Sequence, residues 1–245
     1  MTLYLLPNLL SETANLELSL PSGEGAIVEK LDGLIAEDAK QGRAFLKRLL
    51  SQRKVADVPL ALLNEHTRDE ELEALLQPLL RGQTWGIVSD AGLPCLADPG
   101  ARLVARARRL RIVIRALPGP CSFVLALMLS GLPAQRFAFH GYLPRDAQEL
   151  ATALHLLQQR AKREGETQVF IETPYRNQRL LQNLLQHLDG DIVLSVACDL
   201  TSENEEVSTQ TVKEWKARPL LALKALDDRP AVFLFASIAE SPRRL

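Results

Sequence analysis

Five carboxylates stand behind short apolar runs in this chain of 245 residues: Glu37 and Asp38 after Leu34-Ile35-Ala36, Glu65 after residues 59–63, Asp90 after Trp85-Gly86-Ile87-Val88, and Glu172 after residues 168–171. A carboxylate held at a strand end can take a proton from a substrate hydroxyl, so each is a candidate general base. Glu37 and Asp38 are adjacent, and if both faced one site each would raise the other's pKa. The plainer reading is that acids are common in the first turns of helices, where they meet the positive end of the helix dipole. His66 and His140 are the other titratable candidates. Asn8, Asn64 and Arg176 are polar loop residues that serve equally well as turn or cap residues.

The apolar runs that precede these acids alternate with helical patterns. Such an order predicts a parallel sheet covered on both faces, with ligands beyond the carboxyl ends of its strands. Strands are expected at residues 3–6, 34–36, 59–63, 85–88 and 112–114. Helices are expected at 39–50 and 68–80, the second carrying Leu72, Leu75, Leu76 and Leu79 on one face with Pro78 as an objection. Asp98-Pro99-Gly100 reads as a helix start in which Asp98 is the N-cap and proline fits the first turn. Asp90, followed by the small residues Ala91 and Gly92, reads instead as a ligand contact or a turn aspartate.

After Pro120 the pattern changes. An apolar helix at 122–129 is followed by strands at 137–139, 168–171, 192–197 and 231–236, with helices up to 164 and at 176–188. This predicts a two-domain α/β protein: an N-terminal domain over residues 1–117, mainly parallel with helices on both faces, and a mixed or antiparallel α+β domain over 118–245. A small-molecule site is expected in the cleft between them.

Composition narrows the class. With 47% hydrophobic and 24% charged residues the chain is ordinary for a globular protein, and a net charge of −1 means that nucleic acid would need a local basic patch. Three cysteines without a CxxC spacing fit a reducing cytoplasm and argue against a disulfide framework or a zinc site. No apolar run approaches the length of a membrane span, and the first residues lack a secretion pattern. The run Leu6-Pro7-Asn8-Leu9-Leu10 after the first strand has no glycine-rich fingerprint, which argues against nicotinamide enzymes and class I methyltransferases; no phosphate-binding P-loop is present either.

Ser89-Asp90-Ala91-Gly92-Leu93-Pro94 with Asp98-Pro99-Gly100, then Leu117-Pro118-Gly119-Pro120-Cys121 and Ser130-Gly131-Leu132-Pro133, resemble in this order the tetrapyrrole methylase superfamily, and within it the small-subunit ribosomal RNA cytidine 2′-O-methyltransferases. The resemblance implies a folded S-adenosyl-L-methionine bound by loops after several strands. It places cofactor contacts at Asp90, Leu93, Ser122, Phe123, Glu172 and Tyr175, and no metal. Ser122 also reads as a helix cap, and Phe123 as core. An ammonium and a sulfonium suit an aspartate and backbone carbonyls. A ribose hydroxyl needs a base, for which Glu37 is chosen ahead of Asp38. Relatives imply a homodimer, with Leu125-Ala126-Leu127-Met128-Leu129 as an apolar segment in need of cover.

The chain departs from the ribosomal RNA branch at Asn8-Leu9-Leu10, Asp38-Ala39-Lys40, Gly92-Leu93-Pro94 and Ala197-Cys198-Asp199-Leu200-Thr201-Ser202. These changes spare the methyl-donor loops more than the acceptor side. Arg102, Arg106 and Arg109 repeat along one helical face and could track phosphates, or could simply be solvated. The resemblance thus predicts a cytoplasmic methyltransferase acting on ribosomal RNA or the small ribosomal subunit. The alternatives are methylation of another acceptor, such as a tetrapyrrole-like small molecule, and cofactor binding without catalysis.

Overall fold

The computed structural model describes residues 1–217 and 226–237; the end of the expected second domain, 238–245, lies outside the described residues. The chain divides into two compact units, Met1–Cys121 and Ser122–Leu245.

In the first unit, β1 (Thr2–Leu5), β2 (Gly33–Ala36), β3 (Leu60–Leu62), β4 (Thr84–Val88) and β5 (Val113–Ala116) form one sheet in the order β3-β2-β4-β1-β5. Every neighbouring pair is parallel. Side chains alternate between the two faces of each strand, so the continuous apolar runs feed two cores at once. On one face Leu3, Ile35 and Ile87 pack against Leu72, Leu76 and Leu79 of α4 (Asp69–Leu80) and Leu103 and Ala107 of α5 (Gly100–Arg109). On the other, Leu34, Ala36 and Val88 pack against Val28 of α2 (Glu24–Val28) and Phe45 and Leu46 of α3 (Ala39–Leu49). A short α1 (Leu16–Ser19) precedes them. Pro78 is tolerated inside α4 because it sits in the last turn; the helix ends where the Arg81 N–H reaches the carbonyls of Gln77 and Pro78.

In the second unit, β6 (Phe137–Tyr142), β7 (Thr167–Glu172), β8 (Ile192–Cys198), β9 (Glu206–Thr211) and β10 (Ala231–Ser237) form a sheet ordered β6-β7-β10-β8-β9. The β6–β7 pair is parallel and the other three pairs are antiparallel, giving a mixed sheet. Its core joins Phe170, Phe233 and Phe235 of the strands to Leu150, Leu154 and Leu157 of α7 (Ala147–Glu164) and Leu180, Leu181 and Leu184 of α8 (Asn177–His187). α6 (Ser122–Ser130) opens the unit, and α9 (Val212–Ala217) follows β9. The sequence did not predict β9, since Glu-Val-Ser-Thr-Gln-Thr has no apolar run. Among the described residues, no helix is long and apolar enough to cross a membrane.

Candidate functional site

The loops after β1, β2 and β4 meet at one end of the first sheet, and Asn8 joins two of them. Its side-chain amide donates to the carbonyls of Ser89 and Asp90, at 3.0 Å each, and its backbone N–H donates to the Gly92 carbonyl at 2.8 Å. Its Oδ1 accepts from the Leu9 N–H and from Arg48, both at 2.9 Å. Asn8 is buried, so these bonds are shielded from competing water. Gly92 has φ +72°, a conformation that costs L side chains energy but not glycine. At Gly119 a side chain would strike Pro7 and press on Leu93, so the loops after β1, β4 and β5 can close on one another only because that residue is glycine.

Within this frame Glu37, Ser89, Pro94, Cys95 and Asp98 line a small pocket over the ends of β2 and β4. Glu37 accepts the Asp90 N–H, and burial followed by the charges of Asp98 and Asp90 pushes its pKa up to about 7. Asp98 rises to about 6 through burial and then the charge of Asp90, with the Ser89 hydroxyl partly offsetting this. Asp90, exposed at the rim, is raised by partial burial and then by Asp38. Among the described residues, no cation forms an ion pair with Glu37, Asp90 or Asp98. The result is a half-desolvated negative cluster held by backbone and hydroxyl groups. The loop around it carries two non-glycine residues in the left-handed region, Cys95 (φ 70°) and Ala97 (φ 64°), and such outliers collect at sites where the surroundings over-determine the backbone. Burial pushes the Cys95 thiol up to about 11, so it stays protonated and is no nucleophile.

Two expectations are corrected here. Asp98 is not the cap of α5: that position is Pro99, without a side-chain cap bond, and Asp98 turns toward Ser89 and Glu37. Nor do Glu37 and Asp38 act as a pair. Asp38 is exposed and caps α3 by accepting from Lys40 and Gln41 at 2.8 and 2.9 Å, which leaves Glu37 alone to face the pocket. Glu65 is fully on the surface beside His66. Sequence reading missed Asp98 as a site residue because Asp-Pro-Gly is also an ordinary helix start.

Leu93 is half-buried against Gly119. In the second unit Ser122 is the first residue of α6, and Phe123 stacks on Phe139 with ring centroids 4.3 Å apart. Tyr175 is exposed, whereas Glu172 is buried and occupied within its own loop, accepting from the Thr173 N–H at 2.7 Å and pairing with Arg176 at 3.2 Å. His140 is bonded to Gln168. Cys198 is a buried thiol raised to about 11, and Asp199 beside it is tied to Arg229 at 2.5 Å. Among the described residues, no group of three or more acids, histidines and cysteines is placed to hold a metal ion.

The arginine face of α5 is largely spent. Arg102 pairs with Asp69 at 2.5 Å, and Arg106 pairs with both Asp69 and Glu73. The acids at the start of α4 therefore neutralise two of the three guanidinium groups expected to track phosphates.

The family model for tetrapyrrole (corrin/porphyrin) methylases matches residues 26–216. Curated relatives named ribosomal RNA small subunit methyltransferase I include those of Halalkalibacterium halodurans, 34% identical over 76% of this chain and 61% of the relative, and of Vibrio cholerae, 31% identical over 77% and 62%. The protein of that name from Leptospira borgpetersenii is 35% identical over 73% of this chain and 68% of its own length. The chain spans about three fifths of the length of the first two. Among solved structures, the methyltransferase CobJ aligns with a TM-score of 0.63 at 16% identity, over 100% of this chain and 95% of that one. Uroporphyrin-III-C-methyltransferase from Thermus thermophilus aligns with 0.55 at 18%, over 96% and 92%. At such identities the two structures speak to the fold alone.

Proposed function

The chain belongs to the tetrapyrrole methylase family, and from that membership together with the carboxylate cluster of the first unit we propose that it is an S-adenosyl-L-methionine-dependent methyltransferase acting on small-subunit ribosomal RNA at a ribose 2′-hydroxyl. The observation that carries the reading is the unpaired cluster of Glu37, Asp90 and Asp98. Three carboxyls raised by burial and by neighbouring carboxylates are relieved by a bound cation, and the methyl donor brings an ammonium and a sulfonium. NADH and ATP bring phosphates, which this cluster repels. The residues present therefore fit the donor.

When bound, the donor supplies a methyl group already activated by its sulfonium. What the chain must add is alignment of the acceptor and removal of its proton. Asp90, exposed at the rim with its backbone fixed by Asn8 and Glu37, holds the cationic end of the donor. Leu93 and the close approach at Gly92 and Gly119 supply an apolar wall. Glu37, raised to about 7 and facing the pocket, takes the hydroxyl proton near neutral pH. Of the second-unit residues that the family resemblance implies, the bonds of Glu172 suit it to fixing its own loop. Three cysteines without a CxxC spacing suit a cytoplasmic setting. The exposed apolar side chains Val124, Met128 and Leu129 of α6 suit a homodimer, a proposal that light scattering showing only monomer would remove.

Calorimetry with S-adenosyl-L-methionine and its demethylated product tests the reading. We expect saturable binding of both, and Asp90→Ala to weaken it by about 1.5–3 kcal/mol, as for a hydrogen bond to a charged group. Transfer of labelled methyl to small ribosomal subunits is the companion assay; label entering only a small-molecule extract would move the acceptor outside RNA.

A further inference from the structure

A cavity in the second unit lies where the first turns of α7 and α8 come together, and its polar lining is Arg145, Glu172, Arg176, Arg179 and Asn183. Three guanidinium groups thus face one carboxylate. That carboxylate does not neutralise them all: the Glu172 side chain is 3% exposed, and it is occupied by Thr173 and by Arg176, which it holds at 3.2 Å. Glu172 therefore acts as a tether that fixes Arg176 at the cavity. Arg145 and Arg179 are exposed and form no ion pair among the described residues. The Asn183 amide is used on the Arg179 carbonyl at 2.8 Å. The acids nearby are Asp146, committed to capping α7 through the Gln148 and Glu149 N–H groups, and the exposed Glu149.

One tethered and two open guanidinium groups around one opening match the oxygens of a phosphate. We propose that the guanidinium groups at the mouth of this cavity hold a backbone phosphate of the RNA acceptor, an inference that rests on the RNA reading of function above. A polymer is favoured over a small phosphorylated molecule because Arg145 and Arg179 are exposed to solvent. Moreover, a chain of net charge −1 needs a local patch to hold RNA, and Arg102 and Arg106 are already committed to Asp69 and Glu73.

The test is fluorescence anisotropy with a labelled fragment of small-subunit ribosomal RNA, titrated over salt concentration, for the wild-type chain and for Arg145→Gln combined with Arg179→Gln. Arg176 is left in place because Glu172 depends on it. We expect at least a tenfold loss of affinity at low salt and a salt slope flatter by about 0.7, the share of one single-strand phosphate contact. Arg145→Lys with Arg179→Lys keeps the charge and should restore most of the slope while losing affinity, because the bidentate fork is gone. Wild-type affinity and slope in a folded glutamine variant would overturn the proposal, as would a wild-type chain that does not bind the RNA. In a parallel titration with inorganic pyrophosphate, loss of its binding in the glutamine variant with RNA binding unchanged would overturn the proposal in favour of a small phosphorylated ligand. Calorimetry with the methyl donor separates the two readings: if RNA binding falls as expected but even the wild-type chain takes no donor, the phosphate site stands and the methyltransferase reading falls.

Discussion

The side-chain amide of Asn8 donates to the backbone carbonyls of Ser89 and Asp90 at 3.0 Å each, so a residue on the loop after β1 fixes the loop after β4. Asn8→Ala removes both donors and leaves two carbonyls and the Arg48 guanidinium short of a partner. We expect a loss of about 1–3 kcal/mol of folding stability in urea denaturation, with weaker methyl-donor binding in calorimetry. Full donor affinity in a destabilised variant would show that the Ser89–Gly92 loop does not need this clamp for binding.

Glu37 is expected to act as the base. Glu37→Gln should lower turnover by about 10²–10⁴-fold while leaving donor affinity near wild type. In the wild-type enzyme kcat/KM should rise with pH through about 7, because only the ionised carboxylate can accept the proton. A pH-independent rate between 6 and 8, or full activity in the glutamine variant, removes Glu37 from the role.

Glu24, in the first turn of α2, is the other carboxyl with an unusual setting. It is buried with neither oxygen hydrogen-bonded, and burial, opposed by Arg48, pushes its pKa up to about 8. Glu24, Glu37 and Asp98 are all raised, so the folded chain holds protons that the unfolded chain has released. Their contribution to stability is complete below the ordinary carboxylate range and declines as pH climbs through about 6, 7 and 8. Thermal unfolding should therefore show the midpoint falling from pH 5 to pH 8.5. Glu24→Gln should flatten the upper part of that decline, and an unchanged profile would argue against a protonated Glu24.

The ion pairs on α5 predict a weak phenotype. Since Asp69 and Glu73 already neutralise Arg102 and Arg106, replacing both arginines by glutamine should leave the salt dependence of RNA binding unchanged. Stability should change little, because exposed pairs are screened by solvent. A flatter salt slope in this variant would return the phosphate contacts to α5.

The order of apolar runs determined by itself most of both sheets, because a strand buried on two faces needs an unbroken β-branched or aliphatic stretch and a covering helix needs its own stripe; Trp85 to Val88 and Leu72 to Leu79 are legible for that reason. The glycine and proline loops after β4 and β5 were legible as well, and they are the loops that close on the one after β1 at Gly92 and Gly119. Strand β9 was not legible, since a polar edge strand takes its place from its pairing with β8. Only the tertiary structure decided which acids meet. Asp38 and Glu37 are adjacent in the chain but diverge, one to a helix end and one to the pocket, while Asp98 reaches Glu37 across two loops. It likewise decided the fate of the arginines: Arg102 and Arg106 find carboxylates on α4, whereas Arg145, ahead of α7, meets Arg176 and Arg179 at the start of α8 around one cavity. Spacing along a chain reports periodicity within one element, and charges that belong to different elements are brought together or parted only by packing.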